Sequence, residues 1–232
     1  MWRFLGAVRS KGYGAMRGVR NGLLVTLLTA GAAAAEPVTV VALGDSLTAG
    51  YGLSDQSQGF VPVLEAWLKA RGHEVVVQNA GVSGDTTAGG LARVAWALGP
   101  DADALIVTLG GNDLLRGLDP AGSKANLDGI LKEAAARQLP VLLVAMKAPG
   151  NFGPEYKAAF DGMYGELAAT YGTLLAEDFF AGLRAAGADP GDPASMAAFL
   201  QADGLHPNPE GVQLIVEGLG PKVEELLAKV GP

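Results

Sequence analysis

From residue 38 onward the chain alternates short runs of β-branched and aliphatic residues with longer amphipathic stretches of helical period. The first run, Val38-Thr39-Val40-Val41-Ala42-Leu43, predicts a strand, and further strands are expected over 74–78, 104–109, 141–146 and about 173–176. Helices fit residues 59–70, 86–98, 120–138, 154–171, 193–201 and 209–229. The last of these should break or kink near Gly220-Pro221, because proline removes a helical donor and crowds the preceding turn. Strands alternating with helices imply parallel pairing through right-handed crossovers. The expected α/β architecture is a three-layer α/β/α sandwich around a five-stranded parallel sheet, whose ligand-binding face is the rim at the strands' C-terminal ends.

Residues 1–35 do not share this pattern. They carry Arg3, Arg9, Lys11, Arg17 and Arg20 with no acidic residue, then an apolar run from Gly22 to Ala35 that ends in small residues before Glu36-Pro37. This is the grammar of a secretory signal peptide with cleavage after Ala35. A membrane anchor is disfavoured, since a span needs about 20 strongly apolar residues and most of this run is Ala, Gly or Thr. The basic region is long for such a signal, and Met16 offers a more typical start. Residues 36–232 are then expected to form a single domain, periplasmic or secreted, acting as a monomer.

Charge and cysteine usage narrow the function. Without its first 35 residues the chain holds 12 Lys+Arg against 24 Asp+Glu, a net charge of -12. So acidic a protein lacks the basic footprint that nucleic acid requires, and an anionic membrane surface would repel it. The chain has no cysteine. Disulfides, thiolate catalysis, cysteine-ligated metals and a lipidated N-terminal cysteine are therefore excluded. With two histidines and no EF-hand spacing, no metal site and no cofactor are expected.

Four segments fall where they can reach one rim. Gly44-Asp45-Ser46-Leu47 follows the first predicted strand, Asn79-Ala80-Gly81-Val82-Ser83-Gly84 the second, and Gly110-Gly111-Asn112-Asp113 the third. Asp203-Gly204-Leu205-His206-Pro207 precedes the last helix. A serine hydroxyl needs a base to become a nucleophile, and histidine is the usual one. His73 sits in a charged turn at the opposite rim, which leaves His206. Asp203, three residues earlier across a glycine, can be brought to that imidazole by one tight turn. Acyl transfer also needs donors for a developing oxyanion, and the amides of Gly81 and Ser46 and the Asn112 side chain can serve. Each residue also has a plainer reading: Ser46 as a helix cap, Gly81 as a turn glycine, Asn112 as a cap, and Asp203 to His206 as a surface turn.

Taken together and in order, these four blocks resemble those of the GDSL, or SGNH, hydrolase family, across residues 38 to about 225. The resemblance is closest to its bacterial periplasmic thioesterase I, arylesterase and lysophospholipase branch, on Thr48 to Gly52, Ser83 to Thr87, Gly111 to Gly117 and Ala148 to Tyr156. It implies a flavodoxin-like fold and a catalytic triad of Ser46, Asp203 and His206. It implies oxyanion donors at Ser46, Gly81 and Asn112, and broad esterase, thioesterase and lysophospholipase activity on small acyl esters or lipids. Because Thr48 stands where a Gly-x-Ser-x-Gly motif has its final glycine, a strained α/β-hydrolase elbow is not expected.

Leu114, Leu115 and Leu118, Phe152 and Tyr156, and Leu205 lie near the rim and can form an acyl groove, or can pack the helices beneath the loops. Two rival readings stand beside ester hydrolysis. One is a carbohydrate deacetylase on the same fold. The other is a flavin- or nucleotide-binding module, although residues 44–51 lack both the Walker lysine and a Gly-x-Gly-x-x-Gly run.

Overall fold

The computed structural model describes residues 36–189 and 192–231. The expected signal segment lies outside the described residues. Five strands build the fold: β1 (Val38–Gly44), β2 (Val75–Gly81), β3 (Ala104–Thr108), β4 (Val141–Val144) and β5 (Leu174–Ala176). All neighbours are parallel, in the order β2-β1-β3-β4-β5. The central strands are buried on both faces, which is why they read as continuous aliphatic runs rather than alternating ones. Edge strand β2 shows the alternation that a half-covered strand should.

The longer helices are α2 (Phe60–Lys69), α3 (Thr87–Ala97), α5 (Pro120–Ala136), α6 (Pro154–Tyr171) and α9 (Pro209–Leu227). They cover the two faces of the sheet, α3, α5 and α6 packing in series and α2 against α9. The three-layer α/β/α expectation holds, within a few residues at each boundary. Among the described residues no helix is long and apolar enough to cross a membrane.

Three differences from the sequence reading stand out, the first two of them at the rim. First, short helices α1 (Ser46–Ala49), α4 (Gly111–Leu115), α7 (Ala181–Ala185) and α8 (Pro193–Ala197) line the loops, so Ser46 opens a helix rather than sitting in a loop. Second, β2 runs to Gly81, because Asn79, Ala80 and Gly81 stay in register with Ala42, Leu43 and Gly44. Third, α9 is not broken at Pro221. Pro221 and the Glu217 residue whose carbonyl it leaves unbonded are both exposed, so water can take that acceptor. On the buried side Trp67 of α2 lies against Gly220, where even a Cβ would meet the ring at 2.5 Å.

The strand order also places the chemistry. The strand order reverses at β1, the chain stepping to β2 on one side and to β3 on the other, and in such sheets the crevice beyond the strand ends is the natural ligand position. Gly44 pairs with Gly81 on one side and Thr108 on the other. Ser46, Gly81 and Asn112 thus emerge from three adjacent strands.

Candidate active site

Asp45 caps α1, its carboxylate accepting from the Leu47 amide at 3.0 Å. This sets Ser46 at the first helical position, where a backbone N–H has no intrahelical acceptor. From the other end of the chain, Asp203 folds an Asx turn, its Oδ1 accepting from the amides of Leu205 (2.9 Å) and His206 (3.0 Å). That turn delivers the buried imidazole of His206 to Ser46.

The resulting relay is continuous. His206 Nδ1 lies 2.6 Å from Asp203 Oδ2, and Nε2 lies 2.8 Å from Ser46 Oγ. A carboxylate can only accept, so Nδ1 carries the proton and donates to Asp203, leaving the Nε2 lone pair to accept from the Ser46 hydroxyl. The His206 amide, then its imidazole, then the Leu205 amide hold the Asp203 carboxyl down at about 2, so it is ionised throughout the neutral range. The Tyr51 ring packs on the imidazole with centroids 4.6 Å apart. Gln201 ties this corner together, donating from its side chain to the carbonyls of Tyr51 and Pro207 while its amide donates to the His206 carbonyl. His73, by contrast, pairs with Glu224 of α9 at 3.0 Å, at the opposite end of the strands.

The expected oxyanion donors are also at this rim. Gly81 packs so closely on α1 that a Cβ would fall 2.4 Å from the Ala49 nitrogen, and only glycine fits there. Its amide donates to Asn79 Oδ1 at 3.0 Å. Asn112 donates from Nδ2 to Asp45 Oδ2 at 3.1 Å. It enters α4 through Gly110, whose φ of +118° and contact with Tyr164 admit no side chain. Asp113, next in the chain and 1% exposed, anchors α4 from below by accepting from the Thr87 amide and hydroxyl and the Ser123 hydroxyl.

Arg93 of α3 joins the ends of β1 and β2. Its guanidinium donates to the Gly44 and Ala80 carbonyls at 2.8 Å each and to Asp85 at 2.6 Å. Neither Arg93 nor Gln201 was anticipated, because their partners are 49 and 150 residues away at the farthest. The sequence holds no local signal for such contacts.

A cavity of about 120 Å³ opens beside Ser46, lined by Asp45, Asn112 and His206 and by apolar side chains of Leu47, Leu114, Leu115, Met146, Phe180 and Leu205. Of the expected groove residues, Leu114, Leu115 and Leu205 are there. Phe152 and Tyr156 are not. They belong to an aromatic ladder that begins in the turn before α6 and continues along one face of the helix, with Phe152, Tyr156, Phe160 and Tyr164 in successive ring contact. Leu118 also stays outside this cavity. The residues that complete it, Met146, Lys147, Asp178, Phe180 and Arg184, follow β4 and β5, loops to which the sequence reading assigned no groove residue except Phe152 and Tyr156. The charges there are paired, Arg184 with Asp178 and Lys147 with Glu177 at 3.7 Å.

A doubly wound sheet carrying a serine, histidine and aspartate relay with amide donors beside an apolar cavity has the architecture of a serine hydrolase. The chain belongs to the GDSL-like lipase/acylhydrolase family, whose pattern it matches over residues 42–214. It is 39% identical over 208 residues to the esterase TesA of Pseudomonas aeruginosa, an alignment covering 89% of this chain and 97% of that protein. It is 32% identical over 206 residues to thioesterase 1/protease 1/lysophospholipase L1 of Escherichia coli K12, covering 88% and 91% respectively. Among solved structures it resembles AlinE4, an SGNH-hydrolase family esterase, at 42% identity and a TM-score of 0.65, over 83% of this chain and 97% of that one. As a member of this family the chain is a hydrolase acting on ester bonds.

Proposed function

We propose that this protein hydrolyses carboxylic esters, and thioesters, through an acyl-enzyme on Ser46, acting as a single domain from Glu36 after export and removal of residues 1–35. The support for export is the residue pattern alone. The observation that carries the catalytic reading is the unbroken relay from Ser46 Oγ through His206 to Asp203, with contacts of 2.8 and 2.6 Å.

In acylation His206 Nε2 takes the Ser46 proton as Oγ attacks the ester carbonyl, and the imidazolium that forms is held by the ionised Asp203. The negative oxygen of the tetrahedral intermediate receives hydrogen bonds from the Ser46 and Gly81 amides and the Asn112 side chain. For the Gly81 N–H it competes with Asn79 Oδ1, a neutral acceptor and therefore the weaker one. The imidazolium then protonates the leaving alkoxide or thiolate. In deacylation the same imidazole activates water, and the acid leaves. The apolar cavity beside Ser46 suits the acyl chain. An exported enzyme would meet lysophospholipids, acylglycerols and aryl or short-chain esters rather than acyl-CoA. An apolar lining does not favour acetylated sugars.

The test is p-nitrophenyl ester hydrolysis, acetate to palmitate, by the chain starting at Glu36 and its Ser46→Ala variant. Wild-type activity that falls by ~10³-fold or more in the variant is expected. Equal activity in both proteins would remove Ser46 as the nucleophile.

A further inference from the structure

Of the ionisable groups lining the cavity that have no part in that mechanism, Asp45 is the buried one. Asp45 is 2% exposed, lies next to Ser46 in the chain, and contributes to the wall of the reaction cavity. Its helix-capping bond to the Leu47 amide does not account for a buried carboxylate, because serine or asparagine caps as well without the desolvation cost. Its second oxygen accepts from Asn112 Nδ2 at 3.1 Å, and Gly111 leaves space for that contact, a Cβ there lying 3.2 Å from the same oxygen.

An ionised carboxylate differs from a neutral cap in one chemical respect: it cannot donate. The carboxamide of asparagine has two edges of nearly equal shape, and only the NH₂ edge can face a group that exclusively accepts. We propose that Asp45 is a positioning residue that selects the orientation of the Asn112 carboxamide, spending one N–H on itself so that the second is aimed at the oxyanion. Once Asp45 is protonated, or replaced by an amide, the Asn112 oxygen can turn toward position 45 and the donor is lost from the cavity. This rests on the reading of Asn112 as an oxyanion donor.

Burial pushes Asp45 up to about 6, which brings the switch into a measurable range. The titratable groups that act on it are His206, across the cavity, and Tyr164 of α6. Burial raises the Tyr164 phenol, which stays neutral and donates to the Leu109 carbonyl at 2.9 Å.

The experiment is a double-mutant cycle on the chain starting at Glu36, with p-nitrophenyl butyrate at pH 8, of wild type, D45N, N112A and D45N/N112A. Asn112→Ala is expected to lower kcat by ~10²-fold. Asp45→Asn should lower kcat by about 10-fold with KM within about two-fold, and the double variant should match N112A, because there is no carboxamide left to orient. A tenfold loss from D45N in both backgrounds would overturn the proposal, as a merely structural role predicts. An N112A variant with full kcat would also overturn it, and would remove Asn112 from the oxyanion hole while leaving the Ser46 result intact. Should D45N not fold, the acid limb decides. The acid limb of wild type should contain a protonation step that N112A lacks, and so fall more steeply. Equal slopes refute the coupling.

Discussion

A carboxylate buried for the sake of function should weaken the fold at the pH where the enzyme works, and Asp45→Asn tests this directly. The sign follows from the direction of the shift. Asp45 has a folded value of about 6 against 3.8 when unconstrained, raised chiefly by burial. Below 3.8 it is protonated in both states. Between these values the folded protein still holds a proton that the unfolded chain has released, so stability falls as pH rises, and the loss is complete above about 6. A shift of this size corresponds to about 3 kcal/mol, of which about 2.5 is lost between pH 4 and 7.5. Asparagine has the same shape, caps α1 equally well, and carries no such titration.

The advantage of Asp45→Asn over wild type should therefore grow by about 2.5 kcal/mol from pH 4 to pH 7.5. Urea unfolding followed by far-UV circular dichroism at pH 4, 5, 6 and 7.5, with linear extrapolation and equal m values, measures it. Asp203, His206 and every other titratable group are common to both proteins, so only the difference is read. A stability difference that stays within about 0.5 kcal/mol across this range would refute the reasoning, since the buried carboxylate would then be costing the fold nothing. The expected outcome is a variant more stable at neutral pH and less active, as a functional group held at the expense of the fold requires.

Other outcomes follow from the same geometry. Asp203→Asn should cut kcat by on the order of 10³-fold or more, since the proton on Nδ1 loses its acceptor. Because the Asp203 carboxyl is held down at about 2 and is largely exposed, its folding contribution should be under about 1 kcal/mol, present above pH 3.8 and gone near pH 2; urea unfolding at the two pH values checks this. Arg93→Met leaves the Gly44 and Ala80 carbonyls without their guanidinium partner and should cost about 1–3 kcal/mol in urea midpoints together with a fall in kcat. Gly81→Ala should lower both stability and kcat, because the methyl meets the Ala49 backbone rather than a side chain that can rotate away. Leu114→Ala should shift the chain-length profile across the p-nitrophenyl series while Phe152→Ala leaves it unchanged, the first lining the cavity and the second not.

How far the site could be read from residues alone has physical limits that these positions illustrate. The central strands were legible because a parallel sheet covered on both faces demands unbroken aliphatic runs, as Val40 to Leu43 and Leu105 to Val107 supply. The four blocks were legible because each is local: a glycine-flanked residue at a strand end, or an aspartate and a histidine within one turn. What escaped was either too short or too distant. A four-residue helix such as α1 completes barely one turn and leaves no periodic signal, so Ser46 read as a loop residue. Asn79 and Gly81 read as loop because an exposed edge strand lacks the apolar pattern that marks the centre of the sheet. Phe152 and Tyr156 read equally as groove or as packing, because aromatic residues near a rim suit a ligand and a helix ladder alike, and only the packing around α6 shows the ring contacts they make.

Asp45 shows the deeper limit. As one letter of a motif it read as a neighbour of the nucleophile, and nothing in its local sequence separates a helix cap from a group that disciplines a side chain 67 residues away. The distinction lies in burial, which the sequence does not state and which converts an ordinary cap into a costly one. A fold keeps such a charge only where an acceptor that cannot donate does something a neutral cap cannot. At this rim, the group it faces is the Asn112 carboxamide, the proposed oxyanion donor.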